Sequence, residues 1–348
     1  MAQKNTPDLS RGRVVAIAGA TGAVGEVLLQ ILEQRNFPVS ELRPLASERS
    51  AGTATITFRG KKLPVQLARP EAFDGVDFVF FAATGALARE LAPEVAKRGG
   101  IAIDKSNTWR MDPQVPLVIP EINGAALEKH QGIIASPNCT TTPFAMALAP
   151  LRKLAKLKRI VVTTFQSASG AGLPGIEELD GQLKAIATGQ PVPKPKQFKA
   201  QIANNVVPVC ETFRPNDSYT TEEVKLLHET RKILEDPSLD VAMTCVRVPV
   251  PVGHSASVLL ETEPAITPEQ ARAAIAAFPG IRVMDDPAHD VFPTPLDCAG
   301  GDDILVGRIR RDLNSDRLWL WTVGDNLRKG AALNAVQIAE ELMKRGLR

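Results

Sequence analysis

Apolar and polar positions alternate in two different ways along the 348-residue chain. In the first part, short apolar runs are separated by segments of helical period. Arg13–Ala18 (RVVAIA) is a compact apolar run, and after an intervening glycine-rich turn Val27, Leu28, Ile31 and Leu32 fall on one helical face. Glu41–Ala46 reads as a second strand, Val76–Ala83 (VDFVFFAA) as a near-continuous apolar strand, Ala86–Lys97 as a helix and Ile101–Asp104 as the next strand. Apolar runs without alternation mark strands buried on both faces, as in a parallel sheet. The β/α succession predicts an α/β unit of that kind.

The segment Gly132–Leu151 (GIIASPNCTTTPFAMALAPL) follows as a short buried strand, Ile133–Ala135, a tight turn Ser136-Pro137-Asn138, and Cys139. Pro137 confines the residue before it to extended conformations and ends the strand. A helical run begins at the three threonines, whose side chains are expected to accept its free N–H groups, and continues through Leu151. Beyond it the pattern changes. Ile160–Phe165 is a β-branched strand ending in a glycine-rich QSASGAG turn, and helices are expected over Ile176–Ile186 and Thr221–Leu234. The proline- and lysine-rich connection Gln190–Lys199 between those helices reads as exposed. Long strands dominate next, over Asp240–Pro251, Ala256–Glu263, Asp303–Arg311 and Arg317–Val323, with Trp319 and Trp321 on one face. Few crossover helices separate them, so the second domain is expected to be α+β with a mixed or antiparallel sheet. A last helix, Leu327–Arg345, carries Ala331, Ala335, Ile338, Ala339 and Leu342 at helical spacing and is expected to return to the first domain.

Composition is that of a globular chain long enough for two domains. A net charge of +2 argues against nucleic acid as a partner. The four cysteines, Cys139, Cys210, Cys245 and Cys298, form no CxxC or Cys/His cluster, so neither a metal site nor a disulfide framework is expected. Residues 1–12 read as a frayed leader; the N-terminus lacks the apolar core of a signal peptide, and no apolar run approaches a membrane span. A reducing cytoplasm is therefore the expected location.

The turn after the first strand, Gly19-Ala-Thr21-Gly22-Ala23-Val24-Gly25, sits where a dinucleotide-binding unit places its glycines. There backbone N–H groups approach a pyrophosphate and the helix N-terminus stabilises its charge. The spacing is GxxGxxG. At the end of the second strand, where such folds meet the adenosine ribose, stand Ser47, Glu48, Arg49 and Ser50. The arginine points to the 2′-phosphate of NADP, whereas Glu48 alone would favour NAD. Arg110, in the polar loop after Ile101–Asp104, reads as a surface arginine, with a grip on phosphate or carboxylate as the alternative.

Cys139 lies at the start of a helix, where the dipole favours a thiolate; otherwise it is a small buried thiol without chemistry. Among four histidines, His254 is distinct: VPVPVGHSAS places it on a tight link between two strands, where it could serve as the acid/base partner of a cysteine. Arg247 points toward the same neighbourhood, or joins a structural ion pair. Glu222, Glu223 and Lys225 open a helix, where acidic residues are commonly simple dipole complements. A nucleotide fold with a thiol and an imidazole suits aldehyde and acyl chemistry.

Taken together, GATGAVG at Gly19, the Ser-Ala-Gly after the second strand, PNCTT around Cys139, FQSASGAG from Phe165, EEVK from Glu222, RVPVPVGHS from Arg247, VGRIRRD at Val306 and VGDNLRKGAALNAVQIAE at Val323 resemble the aspartate-β-semialdehyde dehydrogenase family over almost the whole chain. The resemblance implies an α/β fold: an N-terminal Rossmann-type dinucleotide-binding domain, residues 1–138 with 327–348, and an α+β catalytic and dimerisation domain with a mixed sheet, residues 139–326. It implies NADPH-dependent reductive dephosphorylation of L-aspartyl-4-phosphate to aspartate semialdehyde and phosphate, a step toward lysine, threonine and methionine, by a homodimer.

By the same resemblance Cys139 would be the nucleophile forming a thioacyl enzyme, His254 the proton acceptor or donor, and Gln166 the residue orienting the acyl group. Arg247 and Glu222 would hold the substrate's carboxylate and amino ends, Arg110 and Lys225 its phosphate, and Asn138 would contact substrate. Gly19, Thr21, Gly22, Ala23, Val24, Gly25, Ser47, Arg49, Ser50, Ser169, Gly170 and Asn326 would line the NADP site, with no metal. Two departures stand out: DKSNTWR before Arg110, where the family more often has DNSSAFR, and Thr140 where serine is commoner. An N-acetyl-γ-glutamyl-phosphate reductase-like enzyme and a non-catalytic NADP-binding sensor are the alternatives.

Overall fold

The computed structural model describes residues 11–348, so residues 1–10 of the expected leader lie outside the described residues. Two compact units emerge: the chain up to Asn138 together with Ala331–Arg348, and Cys139–Gly330.

In the first unit, β1 (Arg13–Ala18) leads through the glycine turn into α1 (Ala23–Gln34) and then β2 (Val39–Ala46). A small hairpin, β3 (Thr55–Phe58) with β4 (Lys61–Pro64), precedes the short β5 (Gln66–Leu67). β6 (Phe78–Phe81), α2 (Gly85–Lys97), β7 (Ile101–Asp104), a turn of helix α3 (Pro120–Asn123) and β8 (Ile133–Ala135) complete it. The strands form one six-stranded sheet in the order β5-β2-β1-β6-β7-β8, with every pairing parallel. Val15–Ala18 and all of β6 are buried, which is why these strands read as unbroken apolar runs. The apolar residues of β1 alternate between two clusters: Val15 and Ile17 pack with α1 and the C-terminal helix, and Ala16 and Ala18 with Leu91 and Val95 of α2. The expected strands at 41–46 and 76–83 are 39–46 and 78–81, a difference confined to their ends.

The C-terminal helix begins later than its apolar period implied. Residues 328–332 form a π-type turn and the α-helix proper runs Leu333–Lys344. Its stripe Val336, Ile338, Ala339 and Leu342 belongs to the first unit's core. Buried Asn334 donates to the Val118 carbonyl at 2.9 Å and to Ser136 Oγ at 3.0 Å, tying this helix to the segment before Asn138.

In the second unit, α4 (Thr141–Arg152) is followed by β9 (Lys156–Gln166), α5 (Leu173–Ala187), α6 (Thr221–Ile233), β10 (Asp240–Arg247), β11 (His254–Glu263), α7 (Pro268–Ala276), β12 (Ile281–Val283), a short α8 (Pro295–Cys298), β13 (Ile304–Arg311) and β14 (Leu318–Gly324). The sheet order is β10-β9-β11-β14-β13-β12. β10/β9 and β12/β13 are parallel and the remaining pairs antiparallel, the expected mixed sheet. Helices α4, α6 and α7 pack on it. Residues Thr141–Leu151 of α4 are all buried, so this helix is apolar on every side. On the sheet's other face the register aligns Val161, Leu259 and Trp319 in one row and Thr163, Ser257 and Trp321 in the next, all half-buried or exposed. Trp319 and Trp321 do share a face. The 190–199 connection is exposed as expected except at Val192 and Phe198, which are half-buried.

No helix among the described residues is long and apolar enough to cross a membrane, and they contain no cluster of acidic, histidine or cysteine side chains able to hold a metal.

Gly25 is fixed by packing: a Cβ there would lie 2.3 Å from the Gly19 carbonyl oxygen. Gly25→Ala is expected to force α1 away from β1 and to cost about 1–3 kcal/mol, read as a lowered urea midpoint at unchanged slope.

Candidate functional site

The site residues are carried by strand ends and helix starts, and each unit holds its own set. In the first unit, Gly19 adopts φ +93° directly after β1, with space closed by the Ala82 carbonyl, and Gly25 packs on the same turn. Gly22 is different. Its backbone is extended, φ −94°, and the nearest atom to an added Cβ is 3.5 Å away. The fold alone does not require glycine there, whereas close approach of a ligand to the backbone would. Gly22 is also the N-cap of α1 and no side chain caps that end, which leaves the first N–H groups of the helix to a ligand or solvent. Thr21 lies in the same turn.

At the end of β2, Ser47, Glu48 and Arg49 are exposed and Ser50 half-buried, in a turn closed by the Ser50 N–H donating to the Ser47 carbonyl at 3.0 Å. Arg49 makes no ion pair among the described residues. This donor set, an uncapped helix start, an open glycine and an unpaired arginine after the second strand, fits a phosphorylated dinucleotide.

Arg110 is not the surface arginine that its loop implied. It is buried, donating to the Ser136 carbonyl at 3.0 Å and to the Lys105 carbonyl at 2.6 Å. A polar loop of hydrophilic residues gave no sign of this. The loop folds on Asp104, whose carboxylate accepts from Ser106 N–H at 2.9 Å and Ser106 Oγ at 2.7 Å, while burial pushes its pKa up against those bonds. Trp109 Nε1 donates to the Ala88 carbonyl at 3.3 Å. Asn138 is buried at the end of this unit.

In the second unit, Cys139 stands one residue before Thr140, the N-cap of α4. The expected threonine cap is absent: Thr140 is αR and makes no cap bond. Its Oγ1 donates instead to Glu222 Oε1 at 3.2 Å. The same carboxylate oxygen accepts from Gln166 Nε2 at 3.0 Å, and Lys225 Nζ lies 3.5 Å from Glu222 Oε2. Glu222 is thus more than a dipole complement of α6; it is buried and joins three elements. Lys225 also pairs with Glu211, which the sequence pattern did not single out. Serine at position 140 could make the same bond as threonine, so that departure leaves the network intact.

His254 is the first residue of β11 rather than part of the preceding link. Its Nε2 is 3.4 Å from Cys139 Sγ. Arg247, at the end of β10, donates from Nη1 to the Ser167 carbonyl at 2.6 Å and lies over the Phe198 ring. A Cβ at Gly170 would come within 2.6 Å of Arg247 Nη1 and 3.1 Å of His254 Nε2, so glycine there keeps both side chains in place. Ser169 and Asn326 are buried against each other, Asn326 Nδ2 donating to Ser169 Oγ at 2.9 Å. Gly330 lies against the nucleophile's backbone: a Cβ there would sit 3.1 Å from Cys139 Cβ. The sequence reading did not find Gly330 or Ser167. Their only signal was position within the DNLRKG and QSASG runs.

The other thiols are excluded from chemistry by their surroundings. Burial raises Cys245 well above the usual thiol range and pushes Cys210 and Cys298 up to about 12. Cys139 alone of the four is not fully buried.

A dinucleotide fold with a cysteine–histidine pair defines the class of thiol-dependent dehydrogenases. A family model described as "Semialdehyde dehydrogenase, NAD binding domain" matches residues 14–130, and one described as "Semialdehyde dehydrogenase, dimerisation domain" matches residues 148–329. The chain is 49% identical to an aspartate-semialdehyde dehydrogenase of Aquifex aeolicus, covering 97% of this chain and 99% of that one, and 46% identical to one of Bacillus subtilis, covering 97% and 100%. Among solved structures, aspartate semialdehyde dehydrogenase II of Vibrio cholerae in complex with ASA superposes with a TM-score of 0.92 at 44% identity, covering 96% and 98% of the two chains. The chain belongs to the aspartate-semialdehyde dehydrogenase family.

Iodoacetamide applied to the native protein at pH 8 is expected to modify Cys139 alone. At that pH Cys210 and Cys298, with pKa values near 12, remain protonated as well as buried. Peptide mass spectrometry before and after unfolding checks the assignment.

Proposed function

We propose that this protein catalyses the NADPH-dependent reductive dephosphorylation of L-aspartyl-4-phosphate to L-aspartate 4-semialdehyde and phosphate. The observation that carries the reading is Cys139 Sγ at 3.4 Å from His254 Nε2, at the start of α4. The first unit would bind NADP(H) and the second would hold the catalytic and dimer-forming surfaces.

The Cys139 thiolate attacks the acyl carbon, forming an S–C bond as the C–O bond to phosphate breaks and phosphate departs with the electron pair. NADPH, when bound, supplies the hydride that reduces the resulting thioester. Collapse of the thiohemiacetal then returns the thiolate and releases the aldehyde. His254 Nε2 faces the sulfur and is placed to give and take the proton on the carbonyl-derived oxygen. Gln166, held by Thr164 Oγ1 at 3.0 Å and by Glu222, orients the acyl group.

Arg247 suits the substrate α-carboxylate because its guanidinium offers a fork of donors, and Glu222 suits the α-ammonium. An acylated amine, as in an N-acetyl-γ-glutamyl-phosphate substrate, carries no positive charge to offer that buried carboxylate. Lys225 and Arg110 take the phosphate, and Asn138 contacts substrate. Thr21–Val24, with Gly19 and Gly25 shaping the turn, cradle the pyrophosphate. Ser47, Arg49 and Ser50 take the 2′-phosphate, and Ser169, Gly170 and Asn326 complete the cofactor's surroundings.

The match of residues 148–329 to a dimerisation-domain model supports a homodimer, and the sheet face that carries Val161, Leu259, Trp319 and Trp321 is the surface proposed for it. These side chains stand outward opposite the helices, and a second copy presenting the same rows would cover them. Four free thiols fit a reducing cytoplasm.

The assay runs in reverse, following NADPH absorbance from semialdehyde, phosphate and NADP. Cys139→Ser is expected to lower turnover by about a thousandfold or more while NADP binding is retained. Near-normal turnover would remove the nucleophile from this scheme. Arg49→Ala is expected to weaken NADPH by about tenfold and NADH far less, because only the former carries the phosphate that Arg49 would meet; equal losses would overturn that role.

A further inference from the structure

The first turns of α6 carry a cation that two carboxylates share. Lys225 stands three residues after Glu222, a spacing at which side chains of one helix pair. Its Nζ nevertheless lies 3.5 Å from Glu222 Oε2 and makes the shorter ion pair with Oε1 of Glu211, a residue outside the helix. The second oxygen of Glu211, Oε2, accepts from Thr221 Oγ1 at 2.5 Å, so α6 holds this carboxylate at two points. Glu223, the other acid of the turn, is occupied elsewhere, accepting from Thr220 N–H at 2.7 Å and from Cys245 N–H at 3.0 Å.

Glu211 keeps its place against its own backbone preference. Its φ is +65°, in the left-handed region that glycine and asparagine adopt far more readily than glutamate. The chain on both sides pins it there. Val207 and Arg247 exchange both of their main-chain hydrogen bonds, Cys210 is buried, and Thr221 N–H donates to the Thr212 carbonyl at 2.9 Å. A fold that needed only a left-handed residue would be served at least as well by glycine or asparagine. What glutamate adds at this position is a carboxylate within reach of Lys225.

We propose that Glu211 is a positioning residue for substrate recognition: it draws the Lys225 ammonium off Glu222 and so leaves Glu222 able to receive the α-ammonium of the substrate. Substrate brings a second cation to a buried carboxylate that Lys225 already neighbours. Two ammonium groups on one carboxylate repel each other, whereas with Glu211 each has its own. Oε1 of Glu222 is engaged by Thr140 and Gln166, so Oε2, the oxygen that Lys225 approaches, is the one the two cations contend for. Glu211 acts through Lys225 and Glu222 and touches no reacting atom. Its carboxylate also adds a negative charge on the side where the ammonium arrives, so both effects favour a substrate with a free amine.

The inference rests on the reading of Glu222 as the partner of the substrate ammonium, and the reverse assay separates the two. Glu211→Gln keeps the side chain's length and an oxygen for Thr221 but removes the charge. It is expected to raise the KM for aspartate semialdehyde about fivefold, with kcat little changed. The KM for phosphate stays level or falls, since an anion does not lose when a nearby carboxylate is neutralised. Glu211→Asn, which suits the left-handed backbone, is expected to show the same rise in KM with a thermal midpoint no lower than that of the parent protein, an outcome that a merely structural glutamate would not give. A semialdehyde KM equal to the parent's in Glu211→Gln, or an equal rise in the KM for phosphate, overturns the proposal. Should Glu222→Gln also leave the semialdehyde KM unchanged, the reading of Glu222 fails with it; a silent Glu211→Gln beside a strong Glu222→Gln removes this inference alone. Should Glu211→Gln fail to fold, the two KM values of Glu211→Asn decide in its place.

Discussion

Helix α4 has no polar side to turn toward water, and this constraint places the reactive thiol. Every residue from Thr141 to Leu151 is buried. Each large apolar side chain exposed would forfeit about 1.5–3 kcal/mol, so the helix stays in the core of its unit. Cys139, one residue ahead of the N-cap, is then held by a rigid element, while Gly330 admits no side chain against its backbone. A nucleophile on a fixed helix start loses little freedom when substrate binds, which is how positioning contributes to rate.

Around that point the chain uses hydrogen bonds whose partners have fixed polarity. Gly253 N–H donates to Asn326 Oδ1, Ser167 Oγ lies 3.0 Å from the same oxygen, and Ser167 N–H donates to His254 Nδ1. On the other side Glu222 collects Thr140, Gln166 and Lys225. These polar groups are buried, and an unpaired one would cost about 1–3 kcal/mol, so the network favours one arrangement over its alternatives. The three remaining thiols sit in surroundings that suppress ionisation, which confines thiol chemistry to Cys139.

The nucleotide-binding unit separates two duties of glycine. Gly19 and Gly25 are demanded by the fold, since a side chain at either would overlap a neighbouring carbonyl. Gly22 has room, so its lack of a side chain is explained by a ligand's approach to the backbone rather than by packing. A motif that reads as one signature in the sequence thus divides into structural and ligand-facing positions.

Local chemistry was enough to determine much of this protein. The unbroken apolar runs of β1 and β6, the glycine turn, the helix period of α1 and the placement of Cys139 before α4 all follow from neighbours within a few residues. The positions that local pattern misjudged depend on partners far away in sequence. Thr140 makes no cap bond, and its hydroxyl donates to Glu222, 82 residues on. Arg110 is buried by two carbonyls that its polar loop does not foretell. The pairing of Cys139 with His254 spans 115 residues, and the Ser167 N–H that meets Nδ1 of that histidine lies 87 residues before it. Propensity and periodicity describe how a segment prefers to fold, whereas hydrogen-bond polarity at a buried site is settled only when the sheet brings its strand ends together.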